Sequence, residues 1–253
     1  MKLRGYLTVG VIGTGLVIGD LFQRVVVAGL ARALPGRRIA ILTWWERLLA
    51  HFVMSSARIV GGAHIPPPPA ITGGEGVLVL MNHQSLMDIP LVVAAVRPTY
   101  PRIVTRARYT QGKALISHMV RLYQYPLVDP RSKIRGQLEG IAEAARTSAV
   151  PLMIFPEGTR TPDGKIGQWR EGGLRAILGA RQWIVYLMVT DGYWKSARLT
   201  DFMSNVATID GRAVAVGRFQ GPEPGSDPEP FIYEMRERMV TALAALRTGV
   251  LAS

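Results

Sequence analysis

Cysteine is absent from the 253 residues of the chain. The sequence therefore excludes disulfides, thiolate metal sites and a cysteine nucleophile, and it suits a reducing compartment. Runs of lysine and arginine are absent too, although the formal net charge is +12. Such a charge favours partners that carry phosphate. Because the basic residues are scattered and no nucleic-acid-binding motif accompanies them, we expect a membrane surface rather than nucleic acid as the partner.

Three patterns that would indicate other classes of protein are missing as well. No G-x-S-x-G sequence occurs, so the nucleophile turn of an α/β-hydrolase is not predicted. Gly13 and Gly15 begin a dinucleotide fingerprint, but its third glycine stands one place late, at Gly19. No group of histidines and carboxylates has metal-ligand spacing, so we expect neither a metal ion nor a cofactor.

The N-terminal sequence is long and apolar. Residues 5–19 carry no charge, and beyond Asp20 and Arg24 apolar sequence resumes as far as Leu34. A spanning helix needs about 20 apolar residues, which this segment reaches if Asp20 and Arg24 pair at i,i+4. Basic residues at both ends favour the cytoplasmic side for both, which suits a re-entrant or surface-lying hairpin better than a span. We expect membrane contact, and the two arrangements stay open.

Residues 38–60 have the spacing of an amphipathic helix. Apolar side chains between Ile41 and Val53 recur at helical intervals, and Glu46 falls off that stripe. Two adjacent tryptophans beside arginines suit a helix at a membrane interface, although packing on the rest of the chain is an alternative and both can hold. Four prolines at 66–69 form a stiff linker. We therefore predict two parts, N-terminal membrane-associated helices over residues 1–60 and a second domain over residues 61–253.

The stretch VLVLMNHQSLMDIP joins a predicted strand to a predicted helix. Val77–Met81 is a short apolar run typical of a buried strand, and residues 86–96 are predicted to be helical. Ligands of open α/β sheets bind at the carboxyl ends of strands, which is where the turn places His83. Asp88 follows five residues later. With His83 in the turn, Asp88 can fold back onto one imidazole nitrogen and leave the other as a base.

The same residues also have a purely structural interpretation. Ser85 and Asp88 fit the S-x-x-[DE] capping box at the start of a helix. Alternatively Asp88 is itself the N-cap, with Pro90 near the first helical position. The spacing alone leaves catalysis and capping open. The other three histidines, at positions 51, 64 and 118, have no comparable setting.

A second candidate site follows the predicted strand VPLMIF. In the loop Pro-Glu-Gly-Thr-Arg, Gly158 lets backbone amides approach a ligand closely. Arg160 offers a bidentate fork that suits a phosphate group. Glu157 is placed either to accept hydrogen bonds from a polyol or to pair with an arginine, and the sequence leaves both open.

A third candidate is Arg131, between a predicted strand at 125–128 and a predicted helix. A helix N-terminus beside an arginine suits an anion, and a surface arginine in a loop is an equal alternative. Further strands are predicted at 184–190 and 213–219, and a closing amphipathic helix at 231–246. The alternation of strands and helices predicts a layered α/β domain with a central, mostly parallel or mixed sheet.

Three motifs follow one another in a fixed order: Asn-His-x-Ser-x-x-Asp, a strand ending near Asp129 and Arg131, and Phe-Pro-Glu-Gly-Thr-Arg. Together they resemble the glycerolipid acyltransferase family, best known for the 1-acylglycerol-3-phosphate acyltransferases. The resemblance runs from about Arg38 to the C-terminus, and such proteins often carry an N-terminal membrane-associated segment. The chain departs from the family pattern in two places. The usual Asp-Arg is interrupted by Pro130, and the apolar strand IVYLMVTDG lacks the usual proline.

The resemblance implies a role for each matching residue. His83 and Asp88 would be the catalytic pair of the His-x4-Asp motif, and backbone amides around residues 82–84 are candidate donors to the oxyanion. The acceptor would be bound by Arg131, Glu157, Gly158, Thr159 and Arg160.

The resemblance also implies the reaction. A fatty acyl group would pass from acyl-CoA or acyl carrier protein, as co-substrate, to the free hydroxyl of a lysophospholipid, above all 1-acyl-sn-glycerol-3-phosphate, to give phosphatidic acid. The alternatives are another acceptor such as glycerol phosphate or a different lysolipid, a serine lipid hydrolase with Ser85 as nucleophile, and a non-catalytic lipid-binding protein. The expected partners are membrane lipids, the acceptor and the donor. The expected location is the cell membrane, with the catalytic domain on the cytoplasmic face.

Overall fold

The chain begins with two long helical stretches that lie against each other. The computed structural model describes residues 2–129 and 136–250. The first stretch, Lys2–Ala33, has the length and apolar composition to cross a membrane, and no other helix among the described residues does. It consists of α1, Lys2–Phe22, a π-helical turn, Gln23–Val27, and α2, Ala28–Ala33; after a 3-10 turn, Pro35–Arg37, comes α3, Arg38–Ile59.

The apolar segment is one helix, so a hairpin within residues 5–34 is not formed. The chain reverses direction after the segment, and α3 lies beside α1. This is seen at two glycines of α1: a Cβ on Gly15 would touch Phe52, and one on Gly19 would lie near Trp45. The predicted pairing of Asp20 and Arg24 is confirmed, since their side chains lie 3.0 Å apart.

Helix α3 has the predicted bounds to within one residue, but one prediction about its polar face is wrong. Glu46 is only 3% exposed, although its position falls off the apolar stripe. The reason is that α3 packs against α1 and α2 and also against a later helix, Asp88–Ala95. The hydroxyl of Tyr125 donates a hydrogen bond to the Glu46 carboxylate, and burial raises the pKa of Glu46 to about 8.

The larger part of the chain is built on a five-stranded mixed sheet. The strands are β1 Ile71–Thr72, β2 Val77–Met81, β3 Val96–Arg97, β4 Arg102–Ile103, β5 Thr105–Arg106, β6 Leu127–Val128, β7 Leu152–Ile154, β8 Ile184–Asp191 and β9 Arg212–Gln220. The strand order of the sheet is β4-β7-β2-β8-β9, in which β9 is antiparallel to β8 and the other neighbours are parallel. Two further pairs, β1 with β3 and β5 with β6, stand apart from it.

Helices cover both faces of the sheet. The strands alternate their side chains between two cores: Val77, Val79 and Met81 belong to the core shared with the N-terminal helices, and Leu78 and Leu80 to the other. The predicted layered α/β fold with a mixed sheet is therefore confirmed. The helices that complete it are α4 Asp88–Ala95, α5 Ile116–Leu122, α6 Gly136–Arg146, α7 Glu171–Ala180, α8 Leu199–Asn205 and α9 Glu229–Thr248, with short 3-10 turns at Ala107–Thr110, Trp194–Ser196 and Val206–Thr208.

Several boundaries differ from the sequence-based prediction by one or two residues, and two of these differences concern the predicted site residues. The helix after the His83 turn begins at Asp88, not at Leu86, because the preceding residues form a turn. The strand predicted at 125–128 shrinks to β6, which pairs with β5 outside the main sheet. α3 contributes Leu42, Trp45 and other side chains to the same core as β2, and a division of the chain near residue 60 stays a prediction.

Candidate active site

The turn that follows β2 is fixed to the neighbouring strand by its first residue. The Asn82 side chain donates a hydrogen bond to the Thr190 carbonyl oxygen at 2.9 Å and accepts one from the Thr190 N–H at 2.8 Å. Both groups are fully buried. Because β2 and β8 are parallel, this contact brings the carboxyl ends of two central strands together, and it sets the start of the turn that carries His83.

His83 and Asp88 lie in direct contact. Nδ1 of the imidazole is 2.8 Å from Oδ2 of Asp88. Since a carboxylate can only accept, Nδ1 carries the proton and Nε2 is the free base in the neutral ring. The imidazole stacks on Phe155 with ring centroids 4.0 Å apart, and Nε2 has no hydrogen-bond partner within the described residues. The His83 side chain is 16% exposed and that of Asp88 is not exposed.

Asp88 also shapes the backbone of the turn. Oδ2 accepts hydrogen bonds from the backbone N–H groups of Gln84, at 2.6 Å, and Ser85, at 2.7 Å. The Ser85 hydroxyl accepts one from the Met87 N–H at 2.8 Å. Neither predicted cap is formed, because α4 begins at Asp88 with Met87 as its N-cap and no side-chain capping bond. What remains of the predicted capping box is the hydrogen bond from the Ser85 N–H to Asp88, and it coexists with the His83 contact. Ser85 is fully buried and its hydroxyl is occupied, which removes the support for a serine nucleophile here.

The Pro156–Arg160 loop lies next to this turn because β7 and β2 are parallel neighbours. Glu157 is 2% exposed. Its Oε1 accepts a hydrogen bond from the His83 N–H at 3.1 Å, and its Oε2 accepts one from the Gly167 N–H at 3.2 Å. Burial raises the pKa of Glu157 to about 7, although both amides favour the charged form. Glu157 is thus brought to the turn that carries His83, and its role in binding an acceptor stays a prediction.

Two of the turn amides expected to stabilise an oxyanion, those of His83 and Gln84, are already in use. The His83 N–H donates to Glu157, and the Gln84 N–H donates to Asp88. A second link joins the two loops, since the Thr161 N–H donates to the His83 carbonyl oxygen at 3.0 Å. The backbone of His83 is therefore held on both its N–H and its carbonyl group.

Arginines surround the Glu157–Arg160 loop. Gly158 has φ +63°, a conformation that favours glycine, and a Cβ there would lie 2.8 Å from the Arg170 side chain. Arg106 donates a hydrogen bond to the Gly158 carbonyl oxygen. Burial, together with the charges of Arg108, Arg170 and Arg160, lowers the pKa of Arg106. The concentration of positive charge around this loop suits a phosphate-bearing ligand.

Arg160 lines a cavity of about 570 Å³ beside the loop. Its guanidinium donates to the Ala197 carbonyl oxygen. Lys195 and Arg198 add two more cations to the wall, and Thr159 lies there too; Pro162, Trp194, Ala197, Asp201 and Asn205 complete the lining. Arg131, the remaining predicted acceptor ligand, lies outside the described residues. The structure therefore brings Glu157 to His83 and places Thr159 and Arg160 at the cavity.

Some residues at the site were missed in the sequence analysis. Phe155 is the last residue of a predicted strand, and nothing in the pattern of that strand indicated that the His83 ring stacks on it. Lys195 and Arg198 belong to no motif, and their only signal was the excess of basic residues. His64 was judged to have no special setting, yet its Nδ1 lies 2.9 Å from Oδ1 of Asp210. Both of those side chains are more than half exposed, which distinguishes them from the buried His83–Asp88 pair.

Comparisons with known proteins agree with this geometry. No curated protein sequence matches the chain. The structure is similar to that of the 1-acyl-sn-glycerophosphate (LPA) acyltransferase PlsC from Thermotoga maritima, with a TM-score of 0.64 and 17% sequence identity over 97% of this chain and 94% of that one. The sequence model of the Acyltransferase family matches residues 57–190, a range that contains His83, Asp88 and the Glu157–Arg160 loop. Because this match covers more than half of the sequence, the chain belongs to the acyltransferase family.

Proposed function

We propose that the protein transfers a fatty acyl group from acyl-CoA or acyl carrier protein to the free hydroxyl of a lysophospholipid. The acceptor we favour is 1-acyl-sn-glycerol-3-phosphate, and the product is then phosphatidic acid. The observation that carries the proposal is the 2.8 Å contact between His83 and Asp88 at the carboxyl edge of the sheet, inside the region that matches the family.

The His83–Asp88 geometry suits general-base catalysis. Nε2 of His83 takes the proton of the acceptor hydroxyl while its oxygen attacks the thioester carbonyl. A C–O bond forms, the C–S bond breaks, and the proton passes from the imidazolium to the leaving thiolate. Asp88 keeps Nδ1 protonated and stabilises the positive charge that the ring acquires. A positioned base of this kind contributes about 10²–10⁴-fold to the rate.

The choice of an acceptor with a phosphate group is supported by charge. The cavity beside the loop carries Arg160, Lys195 and Arg198; the family resemblance assigns the acceptor phosphate to Arg131 as well, which lies outside the described residues. Arginine binds phosphate in bidentate fashion, and lysine adds a point charge. Glycerol phosphate offers the same phosphate group without an acyl chain, so a direct comparison of acceptors separates it from a lysophospholipid.

We propose further that the protein works at the cytoplasmic face of the cell membrane, with α1 in the membrane surface. The outward face of α1 carries large apolar side chains, among them Leu7, Val17 and Leu21. Its inward face is docked on the protein over most of its length, from Gly5 against Met203 to Gly19 against Leu115. A helix held in this way is suited to lying half-immersed beside the domain.

This arrangement is tested with introduced cysteines, each of which is unique in a chain without cysteine. Lys2→Cys and Arg37→Cys stand at the two ends of the helical stretch. If α1 lies in the surface, a membrane-impermeant thiol reagent labels both from the same side of sealed vesicles. Labelling from opposite sides would show a span and reject this arrangement.

The reaction is tested by acyl transfer with the purified full chain. Labelled acyl-CoA and acyl carrier protein thioesters are offered with lysophosphatidic acid, other lysolipids and glycerol phosphate, and His83→Ala is measured beside the wild type. We expect phosphatidic acid from the wild type and a loss of about 10²–10⁴-fold in the variant. Hydrolysis without transfer, or equal turnover by the two proteins, would refute the proposal.

A further inference from the structure

The last turn of α9 reaches the edge of the sheet where the active site lies. Nε of Arg247 lies 3.0 Å from Oδ2 of Asp191, and Nη2 lies 2.9 Å from Oδ1, so the guanidinium holds the carboxylate with two hydrogen bonds. Asp191 is the last residue of β8. Nη2 of Arg247 also donates to the Gly164 carbonyl oxygen at 2.7 Å. One side chain of the closing helix therefore contacts both β8 and the segment that follows the Glu157–Arg160 loop.

The same two acceptors bind the side chain of Gln84, the residue next to His83. Nε2 of Gln84 donates to Oδ1 of Asp191 at 3.1 Å and to the Gly164 carbonyl oxygen at 3.3 Å. Oε1 of Gln84 accepts a hydrogen bond from the Tyr193 N–H at 3.2 Å. The Gln84 side chain is fully buried, so these contacts leave it one orientation.

The backbone of Gln84 completes the connection to the catalytic pair. Its N–H donates to Oδ2 of Asp88, the oxygen that also contacts Nδ1 of His83. A continuous chain of hydrogen bonds thus leads from Arg247 through Asp191 and Gln84 to Asp88 and His83. The donor–acceptor distances along this chain run from 2.6 to 3.1 Å. The Arg247–Asp191 contact has the two-pronged geometry that fixes orientation as well as distance.

We propose that Arg247 is a positioning residue of the active site, which through Asp191 and Gln84 holds the turn that carries His83 and Asp88. The proposal rests on the acyl-transfer reaction proposed above, and it adds to that reaction a residue about 160 positions beyond the catalytic motif. Arg247 touches no reacting atom. Its effect is to hold the Gln84 side chain in one place, and with it the Gln84 backbone N–H that donates a hydrogen bond to Asp88.

The charges in this network support the assignment. Burial alone would raise the pKa of Asp191, but hydrogen bonds from Arg247 and Gln84 hold that pKa below its usual value. Asp191 therefore stays ionised and remains an acceptor for both donors. The Arg247 side chain is 37% exposed and that of Asp191 only 14%. Loss of Arg247 leaves a mostly buried carboxylate with fewer donors, which costs stability, so Tm is measured beside the rates to separate this effect from the geometry of the turn.

A positioning role predicts a loss in kcat with little change in KM. The cavity that is proposed to take the acceptor phosphate is lined by Arg160, Lys195 and Arg198. Arg247 is not part of that lining and donates its hydrogen bonds to Asp191 and Gly164 instead. Arg247 and Lys195 do line a neighbouring cavity of about 420 Å³. A catalytic group that is displaced by a fraction of an ångström slows the chemical step, and a displacement of 1 Å can cost about 10²-fold. We expect Arg247→Ala to lower kcat by about 10-fold or more, with KM for donor and acceptor within about twofold of the wild type.

The experiment compares four variants of the full chain, and a fifth as a control, with the wild type. Arg247→Ala removes the contact, Arg247→Lys keeps the charge and one hydrogen bond, and Asp191→Asn with and without Arg247→Ala tests whether the two residues act together. Arg238→Ala is the matched control. Arg238 is also on α9 and also pairs with a carboxylate, but its partner, Glu234, is not part of the hydrogen-bond chain that leads to His83. Steady-state rates and Tm are measured for each, and guanidinium ion is added at millimolar concentration to Arg247→Ala.

We expect four results if Arg247 positions the turn. Arg247→Lys recovers part of kcat, added guanidinium restores part of kcat in Arg247→Ala, Arg238→Ala keeps wild-type rates, and the double variant loses no more than about the worse single variant, since residues in one network are not additive. A kcat for Arg247→Ala within twofold of the wild type, or losses that multiply in the double variant, would overturn the proposal. If Arg247→Ala does not fold, Arg247→Lys with a wild-type Tm carries the same test through its kcat.

His83→Ala is measured in the same series. If it keeps wild-type turnover, the proposed reaction mechanism is rejected. If it is inactive while Arg247→Ala is fully active, only the positioning role is rejected.

Discussion

Glu157 holds the backbone of His83, since its Oε1 accepts a hydrogen bond from the His83 N–H at 3.1 Å. The other carboxylate oxygen accepts one from the Gly167 N–H. The carboxylate thereby bridges the loop after β2 and the segment after β7. Because Glu157 is almost fully buried, its ionisation is coupled to folding, and this coupling gives a test that needs no substrate.

The stability of the protein should fall as pH rises between about 4.5 and 7, in part because of Glu157. Its pKa is about 7 in the folded protein against an ordinary value of 4.5. Below 4.5 the group is protonated in both states; between the two values the folded protein keeps a proton that the unfolded chain has lost, so stability declines with pH until the folded pKa is passed. Glu157→Gln cannot ionise. We expect its Tm to fall less than that of the wild type over this range, and equal slopes would contradict the assignment.

Asp88→Asn should abolish most of the activity. The amide keeps an oxygen that can accept from the turn, but its NH₂ cannot accept the Nδ1 proton of His83, so the ring loses its fixed tautomer. We expect kcat to fall by about 10²–10⁴-fold. The matched control is Asp227→Asn, which changes an exposed aspartate that pairs with Arg175. A kcat for Asp88→Asn near that of the control would show that Asp88 serves only to hold the backbone of the turn.

How far the sequence predicts this site depends on how local each contact is. His83 and Asp88 are five residues apart, and the end of a buried strand followed by a helix is enough to place them together. The contacts of Gln84 with Asp191 and of Arg247 with Asp191 join residues 107 and 56 positions apart. These depend on the order of strands in the sheet and on where α9 crosses it, which a pattern within one element does not contain.

Glu46 illustrates the same limit in the fold. Helical periodicity identified the main apolar stripe of α3, and the bounds of the helix followed from it. Helical periodicity gave no sign that further parts of the chain pack on another side of α3. A polar side chain off the stripe is therefore predicted to be in solvent, whereas Glu46 lies among Tyr125, Tyr123 and Tyr100. Such a residue is found only when the packing partners are known.

Tyr125→Phe should destabilise the protein in a pH-dependent way. The Tyr125 hydroxyl donates to one oxygen of Glu46, and the other, Oε2, has no partner within the described residues. Removal of the hydroxyl leaves a buried carboxyl group without a donor, which costs about 1–3 kcal/mol. The cost should be larger above pH 8, where Glu46 loses its proton in the folded state.

The measurement is denaturant unfolding at pH 6 and pH 9. Tyr233→Phe is the control, since Tyr233 is 66% exposed. A loss of stability that is equal at both pH values would contradict the raised pKa of Glu46. A loss no larger than that of the control would contradict the buried hydrogen bond.

Glycines on the two sides of α1 should respond differently to the same substitution. A Cβ on Gly5 would lie 1.7 Å from the carbonyl oxygen of Met203 in α8, whereas a Cβ on Gly10 would meet nothing within 4 Å. Gly5→Ala should therefore push α1 away from α8, at a cost of about 1–3 kcal/mol for forced overpacking. Gly10→Ala should be neutral, or more stable by about 0.5–1 kcal/mol, because alanine favours the helix.

The measurement is the Tm of each variant in the same detergent. We expect a clear fall in Tm for Gly5→Ala and an unchanged or raised Tm for Gly10→Ala. Equal values would mean that α1 is not docked on the domain, and the surface-lying arrangement of α1 would then lose its basis.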